Sequence, residues 1–121
     1  MKYFKIIILF LSLILIVDCT RQKSKIDINL CNKTSNEIKD ISLTYNKNIN
    51  TLNILHPDLC TKIRLTNIIS ESGLYIKYFQ KNKYITHDIN IYFEEFSYKG
   101  IITILITENN LKVTNNIEIV E

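Results

Sequence analysis

The chain has no alanine and no tryptophan, one proline, two glycines, two histidines, and only Arg21 and Arg64 set against thirteen lysines. Gly73 and Gly100 are isolated. They therefore exclude a glycine-rich phosphate loop, which needs several close backbone approaches to the anion, and each reads as turn punctuation. The residues in excess are Ile, Asn, Lys, Leu and Tyr, whose codons are AU-rich, so the bias reflects the genome as much as the function. At 121 residues there is room for one domain and not for two sizeable cores. The hydrophobic fraction of 46% is ordinary, but part of it lies in the first seventeen residues, which leaves a modest core for the rest.

Those first residues have their own logic. Lys2 and Lys5 form a short positive region, followed by an apolar run from Ile6 to Val17 whose only polar member is Ser12. Twelve residues make about 18 Å of helix, short of the roughly 30 Å hydrocarbon core of a bilayer, which fits a signal-peptide core better than a spanning helix. Cys19 follows directly, in the context Leu15-Ile16-Val17-Asp18-Cys19, and this resembles the lipobox of short bacterial lipoproteins. The resemblance implies diacylglyceryl transfer to the Cys19 sulfur and cleavage before it. Asp18 stands where that pattern usually has a small residue, and the lipoboxes of spirochaetal lipoproteins look more permissive there. The expected organisation is a signal peptide over 1–18, a lipidated cysteine and polar tether over 19–25, and a folded domain over 26–121. An acylated chain stays on a membrane, since two or more acyl chains anchor stably. The implied address is the cell envelope: the outer membrane or cell surface, or the periplasmic face of the inner membrane. An ordinary secretory signal and an uncleaved apolar anchor are the alternatives.

Charge says what the domain does not bind. Loss of Lys2, Lys5 and Asp18 lowers the formal charge from +3 to +2, too nearly neutral for a nucleic-acid-binding face. The aromatic and lysine cluster from Tyr75 to Tyr84 is explained by strand ends flanking a Lys-rich turn.

From Lys25 onward, short β-branched and aromatic runs alternate with Asn-, Lys- and Ser-rich punctuation, the pattern of successive strands. Ile26, Ile28 and Leu30 alternate with Asp27, Asn29 and Cys31; Ile41, Leu43 and Tyr45 alternate with Asp40, Ser42 and Thr44. A weaker strand spans Thr51 to Leu55 and ends at His56-Pro57-Asp58. Strands follow at Ile63 to Leu65, Leu74 to Phe79 and Ile85 to Phe93, with a turn expected from Glu94 to Gly100. The run Ile101 to Thr107 is apolar on both phases, which predicts a central strand covered on both sides. Glu108-Asn109-Asn110 marks a hairpin turn, and Leu111 to Ile119 a last strand interrupted at Asn115-Asn116. The fold class is mainly β: a small antiparallel sandwich or barrel of seven or eight strands after an N-terminal signal helix.

With Cys19 assigned, Cys31 and Cys60 remain as a disulfide candidate in an exported protein. Both fall on the polar phase, so a bridge would lie on an outer face or at a sheet end. No metal site, cofactor or catalytic group is expected. His56, Asp58 and Cys60 lack a second cluster, Pro57 argues for a turn, and neighbouring His87 and Asp88 point to opposite faces of a strand. Glu94-Glu95 reads as a wet loop, and the Asn32-Lys33-Thr34 sequon matters only in a eukaryotic secretory pathway. The chain thus reads as no enzyme but as a tethered binding or adhesion module for a protein or host ligand, with Tyr75, Tyr78, Tyr92, Phe96 and Tyr98 as candidate contact aromatics. The alternative is a structural or inhibitory envelope protein acting on a periplasmic partner, or a non-lipidated secreted β-domain.

Overall fold

The computed structural model describes residues 24–66, 68, 71–94 and 96–120. The expected signal peptide, the lipidated Cys19 and most of the tether lie outside the described residues. Eight strands form two four-stranded sheets: β1 (Lys25–Asn32), β2 (Ile38–Tyr45), β3 (Asn48–Leu55), β4 (Cys60–Leu65), β5 (Ser72–Gln80), β6 (Lys83–Phe93), β7 (Ser97–Ile106) and β8 (Leu111–Val120). One sheet has the order β4-β1-β7-β8 and the other β3-β2-β5-β6, so the molecule is a β-sandwich.

The period-2 patterns place the core. Ile26, Ile28 and Leu30 of β1, Ile41, Leu43 and Tyr45 of β2, Leu74 and Ile76 of β5, and Ile102, Ile104 and Ile106 of β7 are buried between the sheets. Each such side chain contributes about 1.5–3 kcal/mol relative to exposure. Ile38 breaks the phase of β2 yet is buried, because Asp40 adopts φ 49° and the register against β5 shifts between Lys39 and Ser42. A bulge thus returns both ends of one strand to the same core.

Several local expectations are corrected. Strand β1 pairs with β7 in parallel, Lys25 opposite Lys99 through Asn32 opposite Ile106, so the sandwich is not wholly antiparallel. The expected turn from Glu94 to Gly100 is shorter, since β7 begins at Ser97. β7 is internal to its sheet, but Ile101 on its outer face is exposed; only the inner face is covered by the second sheet. β8 runs through Asn115-Asn116 without a break, paired residue for residue with β7, and Asn115 Oδ1 accepts the Ile117 N–H at 3.1 Å. Gly100 is required there: at φ 136°, an added Cβ would fall 2.1 Å from the Asn116 carbonyl oxygen.

One pole is tied together covalently and by buried hydrogen bonds. Cys31 and Cys60, directly opposite in the β1–β4 ladder, form a disulfide with Cα atoms 4.0 Å apart. Cys31 is buried although its strand phase is polar: β4 and β7 flank it on both sides, with Cys60 and Leu105 directly opposite. Next to it, fully buried Asn32 donates from Nδ2 to the carbonyls of Leu55 (2.9 Å) and Asn36 (2.8 Å). Its Oδ1 accepts the Thr34 N–H and hydroxyl at 2.9 and 2.7 Å, and the Thr34 oxygen accepts the Gln80 amide at 2.7 Å. Among the described residues, no buried side-chain nitrogen or oxygen lacks a partner. Glu108 adds an outer clasp: Oε1 accepts Ser35 N–H and Oγ at 2.6 and 3.0 Å, while Oε2 lies 3.4 Å from Lys81 Nζ. A glycan on Asn32 is incompatible with this packing.

Thr34→Val should cost about 2 kcal/mol in urea unfolding, because a buried amide and a buried carbonyl each lose a partner while side-chain volume is kept. The Glu108 carboxyl is held below its ordinary value of 4.5 by the Ser35 backbone and hydroxyl bonds and by Lys81. A lowered pKa contributes stability that is complete above 4.5 and is lost as pH falls through the depressed value. The gap in urea midpoint between the parent chain and Glu108→Gln should therefore be open at neutral pH and shrink as pH falls below 4.5.

Candidate functional site

The outer face of the β3-β2-β5-β6 sheet collects what the core rejects. Three rows cross all four strands in register: Ile54–Lys39–Phe79–Tyr84, Thr51–Ser42–Lys77–Thr86, and Ile49–Thr44–Tyr75–Asp88. Tyr75 is 44% exposed, Tyr84 58% and Tyr92 61%, and Ile49 and Ile54 are exposed beside them. Exposed aromatic and aliphatic side chains are thus interleaved with Lys, Thr, Ser and Asp on one sheet face.

Local contacts hold the rings. Phe79 and Tyr84 pack edge to face with centroids 5.0 Å apart, and Lys77 Nζ stands 4.7 Å from the Tyr84 centroid. Tyr75 leans over Gly73, where an added Cβ would meet its hydroxyl oxygen at 3.0 Å, and Gly73 pairs with Tyr92 across the ladder. The Tyr92 hydroxyl donates to Glu71 Oε2 at 3.2 Å. Its pKa is raised above the ordinary phenol value by lost solvation, by the Glu71 charge and hydrogen bond, and by the Glu94 charge. The surface thus has two halves: Phe79, Tyr84 and Lys77 near the disulfide pole, and Tyr75, Tyr92 and Glu71 near the opposite, N-terminal pole.

The five aromatics singled out from sequence divide. Tyr75, Tyr92 and Phe96 are exposed, whereas Tyr78 (3%) and Tyr98 (7%) are buried and are not contact residues. Tyr78 shares the phase of Leu74 and Ile76, and burial pushes its hydroxyl pKa up; its oxygen lies 3.3 Å from His87 Nε2. Tyr98 packs edge to face on Phe93, and its hydroxyl accepts the Glu94 N–H at 2.8 Å, which fixes the β6–β7 turn. Phe79 and Tyr84 were missed, although the parity of Tyr75 and Lys77 in the run Leu74 to Phe79 points to Phe79 on the same face.

No cluster of three metal-capable side chains is present among the described residues. Cys60 is bound to Cys31, so it is neither ligand nor nucleophile, and His56 lies against Glu37 at 3.8 Å, both exposed. His87 and Asp88 instead border a 430 Å³ cleft with Ile89, Asn90, Asn109, Asn110, Leu111 and Val113. It opens between the β6 and β8 edges, on the side of the sandwich opposite the His56–Leu59 connection. Glu95 lies outside the described residues. On the other sheet, Arg64 grips Asp27 through Nε at 3.0 Å, and this hydrogen bond and charge hold the Asp27 carboxyl below its ordinary value.

Tyr78→Ala should destabilise the fold by about 3 kcal/mol, as expected for a buried ring. Tyr75→Ala should stay within about 0.5 kcal/mol of the parent chain, as expected for a surface position. Urea unfolding of the two variants checks the division directly.

No family model matches the chain, and no curated protein matches it. Among solved structures it is similar to the NMR structure of a protein from Eubacterium rectale, at 20% identity and a TM-score of 0.46, covering 75% of this chain and 87% of that one.

Proposed function

We propose that the chain is a membrane-anchored lipoprotein of the cell envelope, held through acyl chains on Cys19, whose sandwich binds a protein ligand through the outer face of the β3-β2-β5-β6 sheet. The observation that carries the binding role is the exposure of Tyr75, Tyr84, Tyr92, Ile49 and Ile54 on one sheet face, where solvation favours polar residues. Rigid aromatics with few torsions are efficient anchors, because little side-chain entropy is lost when a partner covers them. Lys77 over Tyr84 and Glu71 at Tyr92 supply polar groups of both signs beside the rings. The anchoring role is supported by the apolar run from Ile6 to Val17 followed by Cys19. It is supported too by the disulfide, a bond that persists in oxidising compartments.

β1 starts at Lys25 and runs towards the disulfide, so the proposed tether meets the domain at the pole opposite Cys31–Cys60.

The mass of the membrane-extracted chain is expected to begin at Cys19 and to include two or three acyl chains; an unmodified chain, or one retaining residues 1–18, rejects the anchor. A chain carrying Tyr75→Ala and Tyr84→Ala together should lose roughly tenfold or more in binding to host-cell or envelope surfaces, about 1.4 kcal/mol or more. Equal binding by this folded variant rejects the face.

A further inference from the structure

The four sheet edges are not equally protected. β6 is broken as an edge at Asn90, where φ is 61°, and its register with β5 slips between Gly73 and Tyr75. β3 and β4 lie along one side of the sandwich, joined by the short segment His56–Leu59, and β4 has only six residues, among them Lys62 and Arg64. β8 differs. It is ten residues long, and its pairing with β7 is unbroken from Ser97 opposite Val120 to Ile106 opposite Leu111. A long regular edge is a template for another strand, and short length, bulges and inward charges are the usual guards against it.

The sequence of this edge is complementary to its own reverse. About Asn115 as centre, an antiparallel partner of identical sequence sets Leu111 opposite Ile119, Lys112 opposite Glu118, Val113 opposite Ile117 and Thr114 opposite Asn116. From Leu111 to Ile119 every apolar residue meets an apolar one and each charge meets its opposite, while Val120 falls beyond the strand opposite Asn110. Leu111, Val113 and Ile117 already pack against the core from the inner face of β8, while Ile119 remains 54% exposed. Directly beside Leu111 and Val113 lies the 430 Å³ cleft, walled on its other side by Ile89 of β6.

We propose that β8 is a homodimer edge: two copies of the chain pair their β8 strands antiparallel about Asn115, joining two four-stranded sheets into one of eight. Ile117 and Ile119 of the second copy then stand beside Val113 and Leu111, on the cleft side, and cover the apolar lining. On the outer face, Glu118 sits between its own Lys99, at 3.8 Å, and the second copy's Lys112. The Ile117 N–H, now capped by Asn115 Oδ1, exchanges that local bond for a carbonyl of the added strand. Antiparallel pairing also sends the two N-terminal poles to opposite ends of the dimer. The inference does not depend on the anchor or on the aromatic face.

The test is disulfide trapping in the full chain at low concentration in mild detergent, with the unaltered chain setting the background from Cys19. Asn115→Cys should yield a covalent dimer on air oxidation, because the dyad places this position against itself; Thr51→Cys, on the β3 edge, should not. In the Asn115→Cys background, Lys112→Glu and Glu118→Lys should each cut the trapped fraction roughly tenfold by placing like charges opposite at two sites per dimer. An equal mixture of these two variants should restore it, since each supplies the charge the other lacks, and recovery also shows that both remain folded. Trapping at Asn115→Cys no higher than at Thr51→Cys overturns the proposal, as does trapping that ignores Lys112→Glu or a mixture that stays monomeric.

Discussion

The structure depends on one buried polar junction, the Asn32 side chain and the groups it holds. Two sheets facing each other across an apolar layer have little to fix their relative placement, because hydrophobic burial is non-directional. Asn32 supplies direction. From the end of β1 its amide reaches the end of β3, its carbonyl oxygen engages Thr34, and Thr34 accepts the amide of Gln80 at the end of β5. The main chain takes part as well: Asn32 N–H donates to the Leu59 carbonyl, the Asp58 N–H donates to the Asn32 carbonyl, and the Lys33 N–H donates to the Ile106 carbonyl. One residue thereby fastens strands of both sheets and the loops between them. In a dry setting these bonds are strong when all are made and costly when one is lost, and the disulfide one residue away keeps the junction assembled.

Much of this architecture was legible from the pattern of side chains. Alternation in Ile26 to Cys31, Ile41 to Tyr45 and Ile85 to Phe93 identifies strands and their inner faces, because a half-buried sheet imposes a period of two. Asn-rich and Lys-rich punctuation marks the turns, and Asn46, Lys47, Lys81 and Asn82 do adopt positive φ there. What the pattern does not carry is anything set by contacts distant in sequence. The parallel pairing of β1 with β7 joins residues more than seventy positions apart, and no local preference announces it. The burial of Cys31 has the same origin: its phase is polar, but the strands that flank it, β4 and β7, come from elsewhere in the chain.

The aromatics show the same boundary at the scale of single residues. Tyr78 and Tyr98 are chemically indistinguishable from Tyr75 and Tyr92 in composition, yet parity within β5 and β6 puts the first inward and the last two outward. Counting phase from Leu74 places Tyr78 in the core, so this much was available in the sequence. Tyr98 was harder, because the turn expected across Ser97 to Gly100 conceals that β7 has already begun. Tyr84 opposite Phe79 becomes evident only once the Lys81-Asn82 turn fixes the hairpin register.

The direction of β1 has a mechanical consequence. This strand is hydrogen-bonded on both sides, to β4 and to β7. A pull along its axis loads both ladders in shear, so their bonds must fail together, whereas a pull across the sheet would peel them one at a time. At the far end of the same strand, Cys31 passes the load covalently to β4. Sliding of β1 past β4 is blocked as long as that bond is intact, and drag on the domain is borne by a covalent stop behind two sheared ladders.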